Sequence, residues 1–249
     1  FAQEEWLTGP WVLRGGARLV WTAHDIDRLG GAAPGDEDAS WTRLLWSVGA
    51  RYNGWNGVAP FVNVGSSFMA PALKSVGGTL RPEDRGVPGR NGQLPNPGLD
   101  PESGIGADAG LQFICPKGYL ATVRGFVNVV DDAIVETVVS ETPSQSQSVN
   151  AGRTTAWGLE VDVRRPLTEW LGWFANYTYT QTDIDNDRDP DQDGADVPFV
   201  PAHMGNVGLT LSLPADVTVA TYLHLAGSIY DSTSRSNRRK FDSYEVVNV

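Results

Sequence analysis

Six aspartates stand at alternate positions, Asp183, Asp185, Asp187, Asp189, Asp191 and Asp193, and Gly194 and Asp196 follow them. In an extended segment their carboxylates would fall on one side, only ~7 Å apart at the rise of a strand. That crowding is repulsive unless the chain bends around a cation. Asp189-x-Asp191-x-Asp193-Gly194 has the oxygen spacing of a calcium loop, although Val200 stands where such a loop carries a bidentate Glu. Asp189, Asp191 and Asp193 are therefore candidate ligands for Ca2+, with a solvated acidic loop as the alternative. Arg235, Arg238, Arg239 and Lys240 lie further on. They could pair with the aspartates, meet phosphates at a lipid surface, or attract an anionic ligand.

Other chemistry is sparse. His24, His203 and His224 are far apart and lack ligand spacing, and His203 reads as a residue at the start of a strand. Cys115 is the single cysteine, which excludes an internal disulfide and a multi-cysteine metal site. No Gly-x-Ser-x-Gly elbow or phosphate loop occurs, and Gly30–Gly35 lacks the lysine such a loop needs. Glu160 and Asp162 point the same way on one predicted strand, with Arg164 beyond them and Arg124 on an earlier strand. No nucleophile–base pair accompanies these carboxylates, so compensating charges on a wet wall explain them better than catalysis. The net charge of −11 argues against a nucleic-acid partner. The chain does not read as an enzyme.

The elements that carry these residues have a period of two. In Trp157–Arg164, Trp157, Leu159, Val161 and Val163 alternate with Gly158, Glu160, Asp162 and Arg164. Val207, Leu209, Leu211 and Leu213 alternate with Gly208, Thr210 and Ser212, and Leu44, Trp46, Val48, Ala50 and Tyr52 repeat the pattern. Such alternation puts neighbouring side chains on opposite faces of a β-strand. It often persists for ten residues or more, the ~9–11 that a tilted strand needs to cross a hydrocarbon layer, where a globular strand averages ~5–6. Trp41, Trp46, Trp170, Trp173, Tyr177 and Tyr179 gather towards strand ends, as interfacial aromatics do. No apolar stretch is long enough for a membrane helix.

Connections alternate in length. Short turns are predicted near Thr8–Pro10, Asn53–Gly57, Pro116–Gly118, Pro166–Glu169 and Pro214–Asp216. Between them lie long polar links near Ala23–Ser40, Ala70–Gly104, Asp131–Asn150, Thr182–Ala202 and Asp231–Lys240. Short periplasmic turns and long outside loops are the plan of an up-and-down outer-membrane barrel. The expected fold is all-β, an antiparallel transmembrane β-barrel of about ten or eleven strands, the last from about Phe241. The chain begins at Phe1 without an initiator Met or a leader, and both ends fall in apparent strands, so a fragment of a larger barrel is expected.

Several segments resemble the barrel domain of TonB-dependent outer-membrane receptors. Phe1–Trp6 with Leu13–Arg18 resembles a strand pair of that barrel, and Val62–Pro71 is similar to a family strand ending in an aromatic-x-Ala-Pro turn. Asn96-Pro97-Gly98-Leu99-Asp100-Pro101-Glu102 resembles the Asn-Pro-x-Leu-x-Pro-Glu box, and Gly125–Val135 the strand ending in Asp-x-Ile. Asn150-Ala151-Gly152 through Gly158-Leu159-Glu160-Val161, and Val197-Pro198-Phe199-Val200-Pro201-Ala202-His203, complete the series in family order.

The resemblance implies that residues 1–249 are part of a ~22-stranded barrel in the bacterial outer membrane, the C-terminal part without the plug or the closing strands. It implies uptake of a bulky, scarce nutrient, a ferric siderophore first among the candidates, with TonB contacted through the plug and with outer-membrane lipid and lipopolysaccharide as surroundings. Haem receptors of the family carry a histidine between the box that ends at Pro71 and the one that begins at Asn96, and none occurs here. A passive porin or structural barrel and a soluble β-sandwich binding module are the alternative readings. Half a barrel exposes unpaired edges and a greasy face, so expression of this segment alone is expected to give inclusion bodies.

Overall fold

The computed structural model describes residues 1–26, 37–115, 118–150, 152–186 and 188–248. Gly30–Gly35 and Asp187 lie outside the described residues, as does most of the link expected near Ala23–Ser40. The elements run β1 (Ala2–Thr8), β2 (Trp11–Ile26), β3 (Glu37–Tyr52), β4 (Val58–Met69), a short helix α1 (Leu73–Gly77), β5 (Gly92–Leu94), β6 (Glu102–Ile114) and β7 (Leu120–Asp131). They continue with β8 (Ile134–Ser140), β9 (Gln145–Asn150), β10 (Arg153–Pro166), β11 (Leu171–Asp185), β12 (His203–Leu213), β13 (Val217–Ala226), β14 (Ile229–Tyr230), β15 (Lys240–Phe241) and β16 (Tyr244–Asn248).

Eleven strands form one open antiparallel wall in the order β1-β2-β3-β4-β6-β7-β10-β11-β12-β13-β16. Each wall strand pairs with the next one along the chain. The remaining strands belong to the long links. The meander and the alternation of short and long connections are those the sequence predicts.

Because the wall is one layer thick, period-two patterning produces two surfaces and no core between them. One face carries Leu19, Trp21, Leu44, Val48, Val62, Ile105, Trp157, Leu159, Val207 and Leu209, all large apolar side chains left exposed; Trp21 retains 69% of its accessible surface. The other carries Glu5, Arg14, Asn63, Asp108, Arg124 and Glu160. On this wet face aromatic rings lie across glycines of the neighbouring strand. A β-carbon at Gly158 would stand 2.8 Å from Phe126 Cζ and 1.9 Å from the Tyr179 carbonyl oxygen, so only glycine lets the backbone and that ring approach.

Three features differ from the sequence reading. β2 runs to Ile26, β3 starts by Glu37 and β11 runs to Asp185, so the hairpin arms outlast the apolar band and stay paired where the residues turn polar. The final strand starts at Tyr244 rather than near Phe241, which instead belongs to β15. Finally, the links expected as polar loops contain folded elements: α1 and β5 in one, β8 and β9 in the next. Their key pairing, parallel β5 on β9, joins Gly92 to Gln145 and Leu94 to Gln147, a contact between distant segments that no local periodicity discloses.

Candidate functional site

The functional surface is the wet face of the wall together with the long links that stand above it. Cross-strand pairs on the wet face neutralise one another. Arg124 Nε lies 3.0 Å from Glu160 Oε2, and a second guanidinium nitrogen donates to the same oxygen. Asn63 Nδ2 donates to Asp108 Oδ2 at 3.0 Å, Arg14 Nε to Glu5 Oε2 at 2.6 Å, and Arg51 to Gln112. His224 Nδ1 and Asn206 Oδ1 are 2.8 Å apart, and Asn206 donates in turn to Asn176 at 2.8 Å. Ser67, Asp108, Arg124, Phe126, Asn128 and Glu160 border a groove of about 380 Å³ on this face. Glu160 is thus paired with Arg124 in a wet setting, an arrangement suited to a hydrated lumen.

Above the middle of the wall, residues 70–101 and the β8–β9 hairpin form one packed unit. Val76, Leu80, Leu94 and Leu99 are buried in it, Val76 completely. Gln145, fully buried as well, donates from Nε2 to the carbonyls of Asp84 and Arg90 at 2.7 and 2.8 Å and accepts from Gly86 N at 2.9 Å. Gln93 Nε2 donates to Ser148 Oγ at 2.6 Å. These contacts give the Asn-Pro-x-Leu-x-Pro-Glu segment its physical meaning. Asn96 Nδ2 donates to the Ser148 carbonyl at 2.9 Å, Leu99 and Pro101 are buried, and Glu102 Oε1 accepts from Ile134 N at 2.7 Å. Asn150 closes the unit, donating to the carbonyls of Asp100 and Asp132 at 2.7 and 2.8 Å. The box ties two links together rather than presenting chemistry outward.

The second unit joins residues 182–202 to residues 229–241, and the acidic run sits in it. The run is extended only as far as Asp185; beyond it the chain turns, with Asp189 N donating to the Asn186 carbonyl and Asp193 N to that of Asp189. Asp189 Oδ1 accepts from Asp191 N at 3.0 Å, and Asp193 Oδ1 from Asn186 N at 3.4 Å. Asp191 reaches across to the other link: it accepts from the Ser234 hydroxyl and, at 2.9 Å, from Ser236 N. Those hydrogen bonds, Ser234 foremost, hold the Asp191 carboxyl below the usual carboxylate range, and the Arg235 charge acts in the same direction. Arg235 donates to the Asp193 carbonyl at 3.0 Å, and Arg238 pairs with Asp196 at 3.1 Å while lying over the Tyr230 ring.

Asp189, Asp191 and Asp193 are therefore near one another in the chain, yet each serves a separate hydrogen bond. Among the described residues no three His, Cys, Asp or Glu side chains gather as a metal-binding group. Of the basic run, Arg235 and Arg238 meet the acidic link, the first of the roles open to it, while Arg239 lies over the Phe241 ring. Of the histidines, His24 stacks edge-on against Trp41, His224 belongs to the wet face, and His203 lies on the apolar face bonded to Tyr177.

The sequence profile of the family described as TonB dependent receptor-like, beta-barrel, matches residues 1–249. No curated protein matches the chain. The fold is similar to the copper transporter OprC, at 18% identity and a TM-score of 0.70 over 98% of this chain and 38% of that one. The siderophore receptor PiuA from Acinetobacter baumannii is similar at 16% identity and a TM-score of 0.68, over 96% of this chain and 34% of PiuA. The ferric yersiniabactin uptake receptor FyuA from Yersinia pestis is similar at 17% identity and 0.66, over 98% and 36%. The chain thus spans little more than a third of the length of these structures.

Proposed function

This chain belongs to the TonB-dependent receptor β-barrel family of the bacterial outer membrane, and from that premise we propose that the intact protein takes up a ferric siderophore with energy passed through TonB. The family is one of transporters rather than enzymes. The observation that carries the reading is the pairing of a charge-compensated wet face with two folded units at its long-loop end. A passive pore has no need to build such units, whereas a receptor must hold its ligand-facing loops in place. Two structures of similar fold, the ferric yersiniabactin uptake receptor FyuA and the siderophore receptor PiuA, support this cargo class. Arg18 and Arg43 add to it, since strand register puts both on the wet face beside Arg14, where they favour a negatively charged chelate.

The test is uptake of radiolabelled ferric siderophores, hydroxamate and catecholate, by cells carrying or lacking the full-length gene, with and without TonB. Energy-dependent uptake that disappears in either deletion is expected. Uptake that persists without TonB would make the protein a passive barrel. No difference for any iron chelate would remove this cargo.

A further inference from the structure

The wet face is divided into two sectors. From β1 to β10 every wall strand except β4 puts a charge on it: Glu5, Arg14, Arg51, Asp108, Arg124 and Glu160 in chain order. Among the described residues, β11, β12, β13 and β16 put no Asp, Glu, Lys or Arg there. Asn176, Asn206 and His224 share one row of this second sector and satisfy one another. Asn206 gives its Nδ2 to Asn176, and its Oδ1 accepts from His224 Nδ1. Phe174 and Tyr222 stand 6.1 Å apart, centroid to centroid, on either side of Gly208. A β-carbon at Gly208 would lie 2.8 Å from Phe174 Cζ and 2.5 Å from Tyr222 Cβ, so the Phe174 ring tip lies over the glycine.

The sectors differ in what it costs to cover them. Covering an ion pair strips its water, and that penalty can exceed the attraction within the pair. The centre of a protein interface is instead depleted of charge and enriched in Tyr, Phe and Met. The uncharged strip has that composition, with Met204 beside the two rings. Four strands at ~4.8 Å and about ten residues at ~3.3 Å give it roughly 600 Å², within the range of an interface between domains of one chain. At the short-turn end a hollow of about 550 Å³ is bordered by Gly172, Phe174, Thr210 and Ser212 on the strip and by Asp162 and Arg164 on β10. Neither Asp162 nor Arg164 has an ion-pair partner among the described residues, so the hollow offers one charge of each sign at its edge.

We infer that the strip of β11–β13 and β16 is the seat of a folded segment of the same chain from outside residues 1–249, and that the charged strands stay in water beside it. The occupant is assigned to the same chain because residues 1–249 span little more than a third of the structures they resemble. It presents an apolar and amide surface to the strip, an acid to Arg164 and a base to Asp162. The passage for the chelate then lies on the other side, along the grooves beside Arg14, Arg51 and Asn63 and beside Asp108, Arg124 and Glu160. The inference rests on the receptor reading, which makes the wet face the wall of a lumen.

The experiment uses the full-length protein, purified in detergent, with p-benzoylphenylalanine in place of Tyr222 or Phe126, two wet-face rings in the two sectors. Irradiation of the Tyr222 variant is expected to cross-link a peptide from outside residues 1–249, identified by mass spectrometry. The Phe126 variant is expected to give none, or a small fraction of that yield. Ser67 and Ser212 are both exposed within residues 1–249, one in each sector. In a Cys115→Ser background, Ser212→Cys is expected to react with a water-soluble maleimide about tenfold more slowly than Ser67→Cys, because a seated position reacts only on local opening. No cross-link from position 222, a peptide from another protein, an equal yield from position 126, or equal labelling of the two cysteines would each overturn the seat. Heat-modifiable mobility of every variant reports the folded barrel. Neither readout uses a siderophore, so failure of the seat is distinguishable from failure of the cargo reading.

Discussion

The two units at the long-loop end solve one problem by different means. Each must hold links that leave the wall far apart, above strands that offer no core to pack against. The unit of residues 70–101 with β8 and β9 does so by burial: Val76, Leu80, Leu94 and Leu99 leave water, and Gln145 satisfies three backbone groups at their centre. The unit of residues 182–202 with 229–241 does so with charge and hydroxyl contacts, Asp191 to Ser234 and Ser236, Arg235 to Asp193, and Arg238 to Asp196. Apolar burial has no charge to titrate or to screen, whereas partly exposed ion pairs are sensitive to pH and salt. The first unit is a fixed support, and the second is the one that conditions or a ligand can loosen.

The largest test of this contrast is Leu94→Ala. Leu94 is 2% exposed, and its truncation is expected to cost ~2–5 kcal/mol within the first unit. Hydrogen exchange should show lost protection over 92–94 and 145–150 while residues 182–241 stay unchanged. Spread of the effect to the second unit would mean that the two are coupled. Gln145→Ala follows, at ~1–3 kcal/mol, because it removes a fully buried side chain that donates to the carbonyls of Asp84 and Arg90 and accepts from Gly86 N. The same exchange measurement reads it.

Asp191→Asn is expected to act on the second unit alone, speeding proteolysis around 231–239 with no change near 145. Acid should reproduce it. An acid whose pKa is lower folded than unfolded stabilises fully above its unfolded value, and that contribution is lost as pH falls through the folded one. Docking of the two links should therefore persist at neutral pH and weaken only below about pH 4, the ordinary carboxylate value. Exchange corrected for its intrinsic rate would show this, and loosening already at neutral pH would contradict it. The smallest effect is expected from calcium. Ser234 and Ser236 engage both Asp191 oxygens, which favours the solvated acidic loop over the calcium loop, and calorimetric titration of the full-length protein with Ca2+ is then expected to give no saturable heat at this unit. A stoichiometric heat abolished by Asp189→Asn would establish the calcium loop.

What the sequence determined by itself is the wall. Period two over ten or more residues fixes which face is greasy, because each strand residue's side is set by its parity, and Trp157 to Arg164 shows it without reference to any other segment. Turn spacing likewise orders the meander, since each strand pairs with its chain neighbour. Compensating charges on the wet face were legible from Glu160, Asp162, Arg164 and Arg124, but the register that pairs Glu160 with Arg124 was not. Only the tertiary structure decided the rest. Gln93 meets Ser148, Asn96 reaches the Ser148 carbonyl, and Asp191 finds Ser234 and Ser236. The row that joins Asn176, Asn206 and His224 depends on the register of three strands. Parity is a property of one strand, but these contacts join links that leave the wall at different hairpins, and their distance is set by the width of the sheet between them rather than by any spacing along the chain.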